Sequence, residues 1–466
     1  MAQPNDGAVH SKLSQISEMF KEEYSDVLIG PVHVMGGWAG KAFNPKAEVV
    51  VGDGKNFKIK YQKSSPTTTT MNPLAEFGDA DPIAVSEIKV RFNQADPTTN
   101  DFGRSSAAVQ VTHWDMVNKD KGAILDLVED LVKDAKQDIK LQRALWRNTG
   151  PSGVIALING TKKGNQSQTM SECSAYVGSA GATSFRANID SGTAARFWPG
   201  QRVDIYSSSN VLVADRLKVT DVNPADPSGP SVGFEIQSGA TITHCDDVGN
   251  NSKIAIYGSF NQGPITLEDW MAGPTSTSET WIGGISRLNK QYRQLIPLRM
   301  RVGSTAAKIS KTMLDDLLIA RGYLMDDDDI TVIRCNPQLE QTLRNQIEAA
   351  AFIQWPSDTE KRKRFAHLGT SGLTYQSPAG IVSFQTDPLA APTFMDAYCA
   401  EDWSEAVYGT RNMQILPGDT AGNWSRMNSA TPGGGKTLIY RMEMMQLFLD
   451  WCFRPQCQSR ILNLEP

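Results

Sequence analysis

The sequence lacks the features that mark several classes of protein. It has six cysteines at irregular spacings, which predicts reduced, mostly buried thiols in a protein made in the cytoplasm. It has no run of about eighteen apolar residues, so no transmembrane helix is predicted. Its first residues lack the cationic and apolar regions of a signal peptide.

Excess positive charge is also missing. Lys and Arg total 46 against 51 for Asp and Glu, a formal net charge of −5. A protein that coats nucleic acid through a dense cationic surface would be basic, so this balance argues against that class.

Motifs for catalysis or ligand binding are also absent. "TPGGGKTLIY" (431–440) places three glycines before Lys436 and Thr437. However, Ala430 stands where a phosphate-binding loop needs glycine, and a β-patterned stretch follows where a helix is required. "HCDD" (244–247) lacks the spacing of a metal site. The sequence therefore predicts no catalytic residue, cofactor or metal, and the chain is not predicted to be an enzyme.

Two charged runs are candidate contacts between subunits. "MDDDDI" contains Asp326 and Asp327 and is typical of a solvated loop. "EKRKRF" is the densest basic run and contains Lys361, Arg362, Lys363 and Arg364. If several copies meet around an axis, the basic run of one copy could pair with the acidic run of its neighbour.

The N-terminal quarter of the sequence predicts a helix and strands that have no evident packing partner within one copy of the chain. Leu13, Ile16 and Phe20 recur at helical spacing, and this stripe has no nearby partner in sequence. "AEVVVGDGKNFKIKYQ", which carries Lys58 and Lys60, and "IAVSEIKVRF" alternate like strands. Because an isolated ribbon is marginally stable, we interpret it as an arm that lies on a neighbouring molecule. The candidate contacts here are Leu13, Ile16, Phe20, Lys58 and Lys60.

A long amphipathic helix is predicted over about 121–147, spanning roughly 40 Å. Its predicted apolar stripe consists of Ile124, Val128, Leu131, Ala135, Ile139 and Trp146. Residues 170–258 then contain short alternating runs separated by turn residues, which predicts a small β-barrel or sandwich. From 305 onward the pattern is α+β. Ser310 and Asn336 are predicted caps of two helices, and the second helix has a predicted buried stripe of Leu339, Leu343 and Ile347. "TLIYRMEMMQLFLDW" predicts a long late strand.

This order of elements resembles the major capsid proteins of tailed bacteriophages, which share the Hong Kong 97 phage fold. Three stretches resemble that family: "TSETWIGGISR" (277–287), "ISKTMLDDLLIARGYLMDDDDITVIRCNPQLEQTLR" (309–344) and "GIVSFQTDPLAAPTFMDAY" (380–398). The detailed resemblance covers 260–460, whereas the N-terminal half matches only in the order of its elements. The β-rich region is larger than the minimal family pattern and is interpreted as an insertion.

The resemblance implies an α+β fold and a set of domains. These are an N-terminal arm (1–44), an extended β-hairpin loop (45–115), a peripheral domain with the spine helix (116–169), a β-rich insertion domain (170–258), the peripheral domain continued (259–304), an axial domain (305–435), and a long C-terminal strand and tail returning to the peripheral domain (436–466).

The implied function is a structural head protein that self-assembles as pentamers and hexamers into an icosahedral shell around double-stranded DNA. The DNA would be enclosed without sequence-specific binding, and no membrane would be involved. The expected partners are other copies of the chain, a separate scaffolding protein and a portal, and a decoration protein is a further candidate. The expected location is the virion, after assembly in the host bacterial cytoplasm.

Two alternatives remain open. An encapsulin-like nanocompartment shares the fold but holds a cargo enzyme. A carbohydrate-acting enzyme with an accessory β domain is suggested by ten tryptophans and by Glu268 and Asp269 in "ITLEDWM". Adjacent residues on a strand would point to opposite faces, which is poor geometry for a carboxylate pair.

Overall fold

The structure is a computed structural model. It describes residues 46–60, 85–91, 102–112, 121–159, 184–190, 192–224, 230–236, 251–274, 281, 284–303, 305–323, 331–351, 374–377, 380–409, 414–415, 424–430 and 436–465. The predicted N-terminal helix and both charged runs lie outside these residues. Mixed sheets dominate the fold, and helices are few.

A central sheet forms around one long strand, β20 (Lys436–Cys452). One edge of β20 pairs with β4 (Gly103–Thr112). The other edge pairs in turn with β19 (Trp424–Ala430), β18 (Gln414–Ile415) and β17 (Trp403–Tyr408). Strand β1 (Lys46–Val50) completes the sheet by pairing in parallel with β17. The predicted late strand is therefore confirmed, and it is the strand on which this sheet is built.

Helix α1 (Lys121–Thr149) packs along this sheet and confirms the predicted spine helix. Its apolar stripe is buried at Val128, Ala135 and Ile139, as predicted, although Val132 is buried where Leu131 was expected. On β20, Tyr440, Met442 and Met444 are buried on the face toward α1, here called the inner face. Arg441 and Glu443 lie on the opposite, outer face and are partly exposed.

Strands β2 (Gly54–Lys60) and β3 (Val85–Arg91) form the predicted antiparallel ribbon. Its base is packed on the chain's own body: the Phe57 ring stacks on Trp451 with centroids 4.1 Å apart, and Ile88 and Val90 are buried beside it. The prediction that the strands of 45–115 lack support within one chain is therefore wrong for β1, the ribbon base and β4. Alternation revealed their apolar faces but not their distant partners.

A second sheet has the order β11-β21-β16-β13-β15-β14. Its strands are β11 (Leu298–Arg301), β13 (Thr331–Cys335), β14 (Thr374–Ser377), β15 (Gly380–Thr386), β16 (Phe394–Cys399) and β21 (Ser459–Leu462). The short strands β12 (Ala307–Lys308) and β22 (Leu464–Glu465) pair separately. Because β11 and β21 flank the predicted axial range of 305–435, the sheet is not confined to that range.

Helices α3 (Lys311–Gly322) and α4 (Pro337–Ala351) share the apolar core of the second sheet. Both predicted caps are observed. The Ser310 hydroxyl accepts from the Met313 amide at 3.3 Å, and the Asn336 side-chain oxygen accepts from the Gln338 amide at 3.0 Å. Leu339 and Leu343 form the buried stripe of α4, as predicted.

A third sheet confirms the strands expected within 170–258 but begins earlier in the chain. Its order is β5-β10-β7-β8-β9-β6. The strands are β5 (Val154–Leu157), β6 (Ser184–Asn188), β7 (Arg202–Tyr206), β8 (Leu212–Asn223), β9 (Ser231–Ile236) and β10 (Lys253–Ile256). A bridge between Ile158 and Ile189 joins the two edge strands. The sheet thus closes into a small barrel around an apolar core.

Candidate functional site

The C-terminal end of α1 lies where the central and second sheets meet, and a chain of buried ion pairs runs through this contact. We call the chain the ionic junction. It also includes one residue of the short helix α2 (Leu267–Ala272). Its charged members are Arg143, Arg147, Glu268, Arg334, Asp387, Asp396, Glu405, Asp450 and Arg460.

The first half of the ionic junction holds α1 against the inner face of the central sheet. The Arg143 guanidinium donates to Glu405 of β17 at 2.5 Å and also to the side-chain oxygen of Gln446. One turn later, Arg147 donates to Asp450 of β20 at 3.0 Å and to Glu405 at 3.2 Å. These four charged side chains are almost completely buried.

The second half of the ionic junction holds the second sheet. Arg334 on β13 donates to Asp387 at 2.9 Å and to Asp396 at 3.0 Å. Arg460 on β21 donates to Asp396 at 2.5 Å and binds both oxygens of Glu268, at 2.6 and 2.8 Å.

Asn148, at the end of α1, connects the two halves of the ionic junction. Its amide nitrogen donates to Asp387 at 3.2 Å, and its amide oxygen accepts from Arg334. The last two turns of α1, which carry Arg143, Arg147 and Asn148, are therefore bonded to both sheets.

The electrostatics of the ionic junction favour the charged forms of Arg147 and Arg334. Burial by itself lowers the pKa of Arg147, but Asp450 and Glu405 more than offset this effect and raise it. In the same way, Asp387 and Asp396 raise the pKa of Arg334 against the effect of burial. A buried ion pair is costly to form because both charges lose their water. Removing one partner costs still more, because the other partner becomes an uncompensated buried charge. The arrangement is therefore a rigid joint, and each of its carboxylates is engaged by a guanidinium.

An aromatic cluster lies beside the ionic junction, at the base of the ribbon, and we call it the aromatic anchor. Its members are Phe57, Trp270, Trp281, Trp403 and Trp451. The Trp270 ring meets the rings of Trp281 and Trp451 edge-on, at centroid distances of 4.3 and 5.2 Å, and the Trp270 indole donates to the Asp450 carbonyl at 2.8 Å. The anchor thus connects the ribbon directly to the strand that carries the ionic junction.

The stretch "TSETWIGGISR" supplies part of the aromatic anchor. Arg287 lies over the Trp281 ring at 4.2 Å, and the Trp281 indole donates to Asp269. The Trp281 amide donates to the Ile285 carbonyl at 2.8 Å, closing a tight turn. Gly284 in this turn has a φ of +76°, and a side chain there would contact the guanidinium of Arg91 at the end of β3. The motif therefore packs against the ribbon base.

The structure places few of the predicted contact residues. Leu13, Ile16, Phe20, Asp326, Asp327 and Lys361, Arg362, Lys363 and Arg364 lie outside the described residues. Lys58 and Lys60 lie on β2, where only their backbone pairing with Glu87 and Val85 is described.

The structure also bears on the rejected chemical sites. Lys436 and Thr437 begin β20, as expected for a turn that leads into a strand. Glu268 and Asp269 lie on helix α2, not on the predicted strand. Their partners are arginines and an indole. Within the described residues, no group of three metal-ligating side chains converges, and no helix is long and apolar enough to cross a membrane.

Sequence reasoning missed the ionic junction. Taken from the sequence alone, Arg143 and Arg147 look like charged residues on the solvent-exposed face of an amphipathic helix. The available signal was a single acidic residue inside each of two apolar strands, Glu405 in "WSEAVY" and Asp450 in "LFLDWC". Charges at such positions are almost never fully buried unless they are paired.

No protein-family model matches the chain, and no curated protein matches it. The chain is similar to solved structures of capsids. The cyanophage A-1(L) capsid protein is 9% identical, with 91% of each chain covered and a TM-score of 0.46. The protein of the native GTA particle capsid is 6% identical, with 90% of this chain and 88% of that chain covered and a TM-score of 0.37.

The chain is also similar to the SrpI encapsulin from Synechococcus elongatus. That comparison covers 36% of this chain and 53% of the encapsulin, at 11% identity and a TM-score of 0.19. At TM-scores below 0.5, these likenesses do not by themselves establish a shared fold or function.

Proposed function

We propose that the chain is the structural major capsid protein of a tailed bacteriophage with the Hong Kong 97-like fold. Copies assemble as pentamers and hexamers into an icosahedral shell that encloses double-stranded DNA. A separate scaffolding protein and a portal act with it, and a decoration protein is a further expected partner. The protein is then a virion component, assembled in the host bacterial cytoplasm.

One observation carries this proposal: the ribbon covers only part of the outer face of the central sheet. At the covered end, Leu449 and Trp451 of β20 are buried beneath the aromatic anchor. At the other end, Arg441, Glu443 and Met445 remain partly exposed. The paired β4 residues on that face are exposed: Arg104, Ser106, Ala108 and Gln110. We call this second region the open half.

Each copy also carries a long connection at the far end of its ribbon. Lys60 pairs with Val85, and residues 61–84 join the two strands. Most hairpin loops have about 2–5 residues, and much longer ones are usually functional. A copy thus offers both a long connecting segment and a sheet face that its own ribbon leaves partly uncovered. When two different surfaces of one chain bind each other, the contact repeats around a ring.

The ionic junction suits a subunit of a shell wall. It fixes α1, the central sheet and the second sheet as one body, so that strain at contacts between subunits does not separate them. Interfaces of obligate assemblies commonly bury about 2,000–5,000 Å². Such areas are large enough to order segments that one copy leaves unsupported.

The proposal is tested by shortening the ribbon without removing its base. Because Lys60 and Val85 are directly paired, an Asn-Gly turn fits between them in place of residues 61–84. The variant should remain folded, since Phe57, Ile88 and Val90 are retained, and should not form shells. Circular dichroism tests folding, and sedimentation with negative-stain microscopy tests assembly.

A matched control replaces 61–84 by a Gly-Ser segment of equal length, which separates the role of the side chains from that of the loop length. Intact shells from the Asn-Gly variant would contradict the proposal. Wild-type protein that elutes as a small oligomer would favour the enzyme alternative. Small shells that contain a cargo protein and no DNA would favour the encapsulin-like alternative.

A further inference from the structure

The ionic junction continues as a row of side chains across the second sheet and ends at its edge. The register places Arg334 beside Asp396, Asp396 beside Arg460, and Arg460 beside Arg299 of β11. Residues directly opposite one another on neighbouring strands share a face of the sheet. The row therefore runs from the buried middle of the sheet to β11, its edge strand.

Among the described residues, each inner arginine of this row forms ion pairs with carboxylates, but the outermost one does not. Arg460 engages Asp396 and both oxygens of Glu268. Within the described part of the chain, the Arg299 guanidinium has no hydrogen bond and no ion pair. Two residues on, Arg301 is likewise exposed and has no partner among the described residues.

The Arg299 side chain packs beside the end of α2. Its guanidinium lies against Gly273, which follows α2, so that a side chain added there would meet its Nη1 atom at 3.3 Å. Burial lowers the pKa of Arg299, the positive charges of Arg460 and Arg287 lower it further, and the negative charge of Glu268 only partly offsets these effects. At this end of the row, the neighbouring positive charges therefore outweigh the nearby carboxylate.

We propose that Arg299 and Arg301 form a contact site for carboxylate groups of a second copy of this chain. This inference rests on the proposed function, because it requires copies to meet at β11. Alternate residues of a strand lie on one face at a spacing of about 6.7 Å. Arg299 and Arg301 therefore present two neighbouring guanidinium groups on the same face of β11. Arginine binds a carboxylate through two parallel N–H···O bonds, which fixes the orientation of the partner.

Two observations favour protein carboxylates over the phosphates of enclosed DNA as the ligand. The chain carries more acidic than basic residues, 51 against 46, so neighbouring copies bring a surplus of carboxylates. All the other arginines in the row are neutralised by carboxylates on β-strands or helices. A carboxylate from a neighbouring subunit at β11 would complete the same pattern.

The test uses Arg299→Lys in assembled shells of the full-length chain. A carbodiimide joins an amine to a carboxylate only where the two are in contact, so the introduced amine should become cross-linked to a carboxylate of another copy. The measurement is the mass spectrometry of cross-linked peptides that contain position 299. Arg202→Lys is the matched control, because Arg202 is also exposed on a strand, but on the barrel.

We expect the yield of inter-subunit cross-links at position 299 to exceed that at position 202 at least about tenfold. We also expect Arg299→Glu to reduce shell yield at least about tenfold, with an unchanged circular dichroism spectrum. Normal shell formation by Arg299→Glu, together with no inter-subunit cross-link at position 299 in shells of Arg299→Lys, would overturn this inference alone. A loss confined to DNA-containing particles, again without a cross-link, would assign the site to phosphate and also overturn it. Wild-type protein that forms no shells would overturn the proposed function together with this inference.

Discussion

Replacing Arg147 by methionine tests the ionic junction most directly. Methionine keeps much of the length of the side chain but removes the donors to Asp450 and Glu405. Both carboxylates are fully buried, so the change leaves uncompensated charge without access to water. Breaking a buried pair in this way costs about 3–5 kcal/mol. Because about 1.4 kcal/mol corresponds to a factor of ten, the unfolding equilibrium should shift by about 10²–10⁴-fold.

The assay is urea unfolding of the unassembled subunit, followed by tryptophan fluorescence. The control is Lys133→Met on the same helix, because Lys133 forms an exposed pair with Glu129. Such pairs contribute about 0–1 kcal/mol. The double variant Arg147→Met with Asp450→Leu should be less destabilised than the sum of its single changes, since one stranded charge is removed. A loss for Arg147→Met no larger than that of the control would refute the idea that the junction holds α1 to the sheets.

Two other predictions concern the aromatic anchor and the thiols. Phe57→Ala should destabilise the subunit by about 3–5 kcal/mol and speed hydrogen exchange in β2 and β3. The control Lys89→Ala, on the exposed side of the ribbon, should change stability and exchange little. Equal exchange rates in both variants would contradict the observed packing. Cys335, Cys399, Cys452 and Cys457 are free and buried, and burial raises the pKa of Cys335 and Cys452. At pH 8 these four thiols should therefore resist a thiol reagent in the native protein, whereas all six cysteines should react in denaturant. Rapid labelling of Cys335 in the native protein would contradict its position in the core.

Local signals in the sequence were sufficient for the helices and for most strands. Caps and apolar periodicity are properties of neighbouring residues, and Ser310, Asn336 and the stripe of α1 are found as predicted. The pattern of β20 also shows directly which of its faces is buried, because alternate side chains lie on opposite faces of a strand.

Pairing between distant strands could not be predicted in the same way. Strand β4 pairs with β20, more than 300 residues later in the chain, and β1 pairs with β17. Neither β1 nor β4 carries a local sequence signal that identifies its partner strand. The sequence alone therefore predicts a projecting arm for both. The ionic junction was missed for a related reason. Taken singly, Arg143 resembles a solvated surface residue, and only the folded chain brings Glu405 and Gln446 to it.

The central claim is that copies of this chain complete one another in a closed shell. Cryo-electron microscopy of the purified wild-type protein tests it most directly. The account predicts hollow icosahedral particles in which residues 61–84 of one copy lie on the open half of the central sheet of a neighbour. Discrete small oligomers, or shells in which each segment 61–84 covers the open half of its own copy, would contradict it.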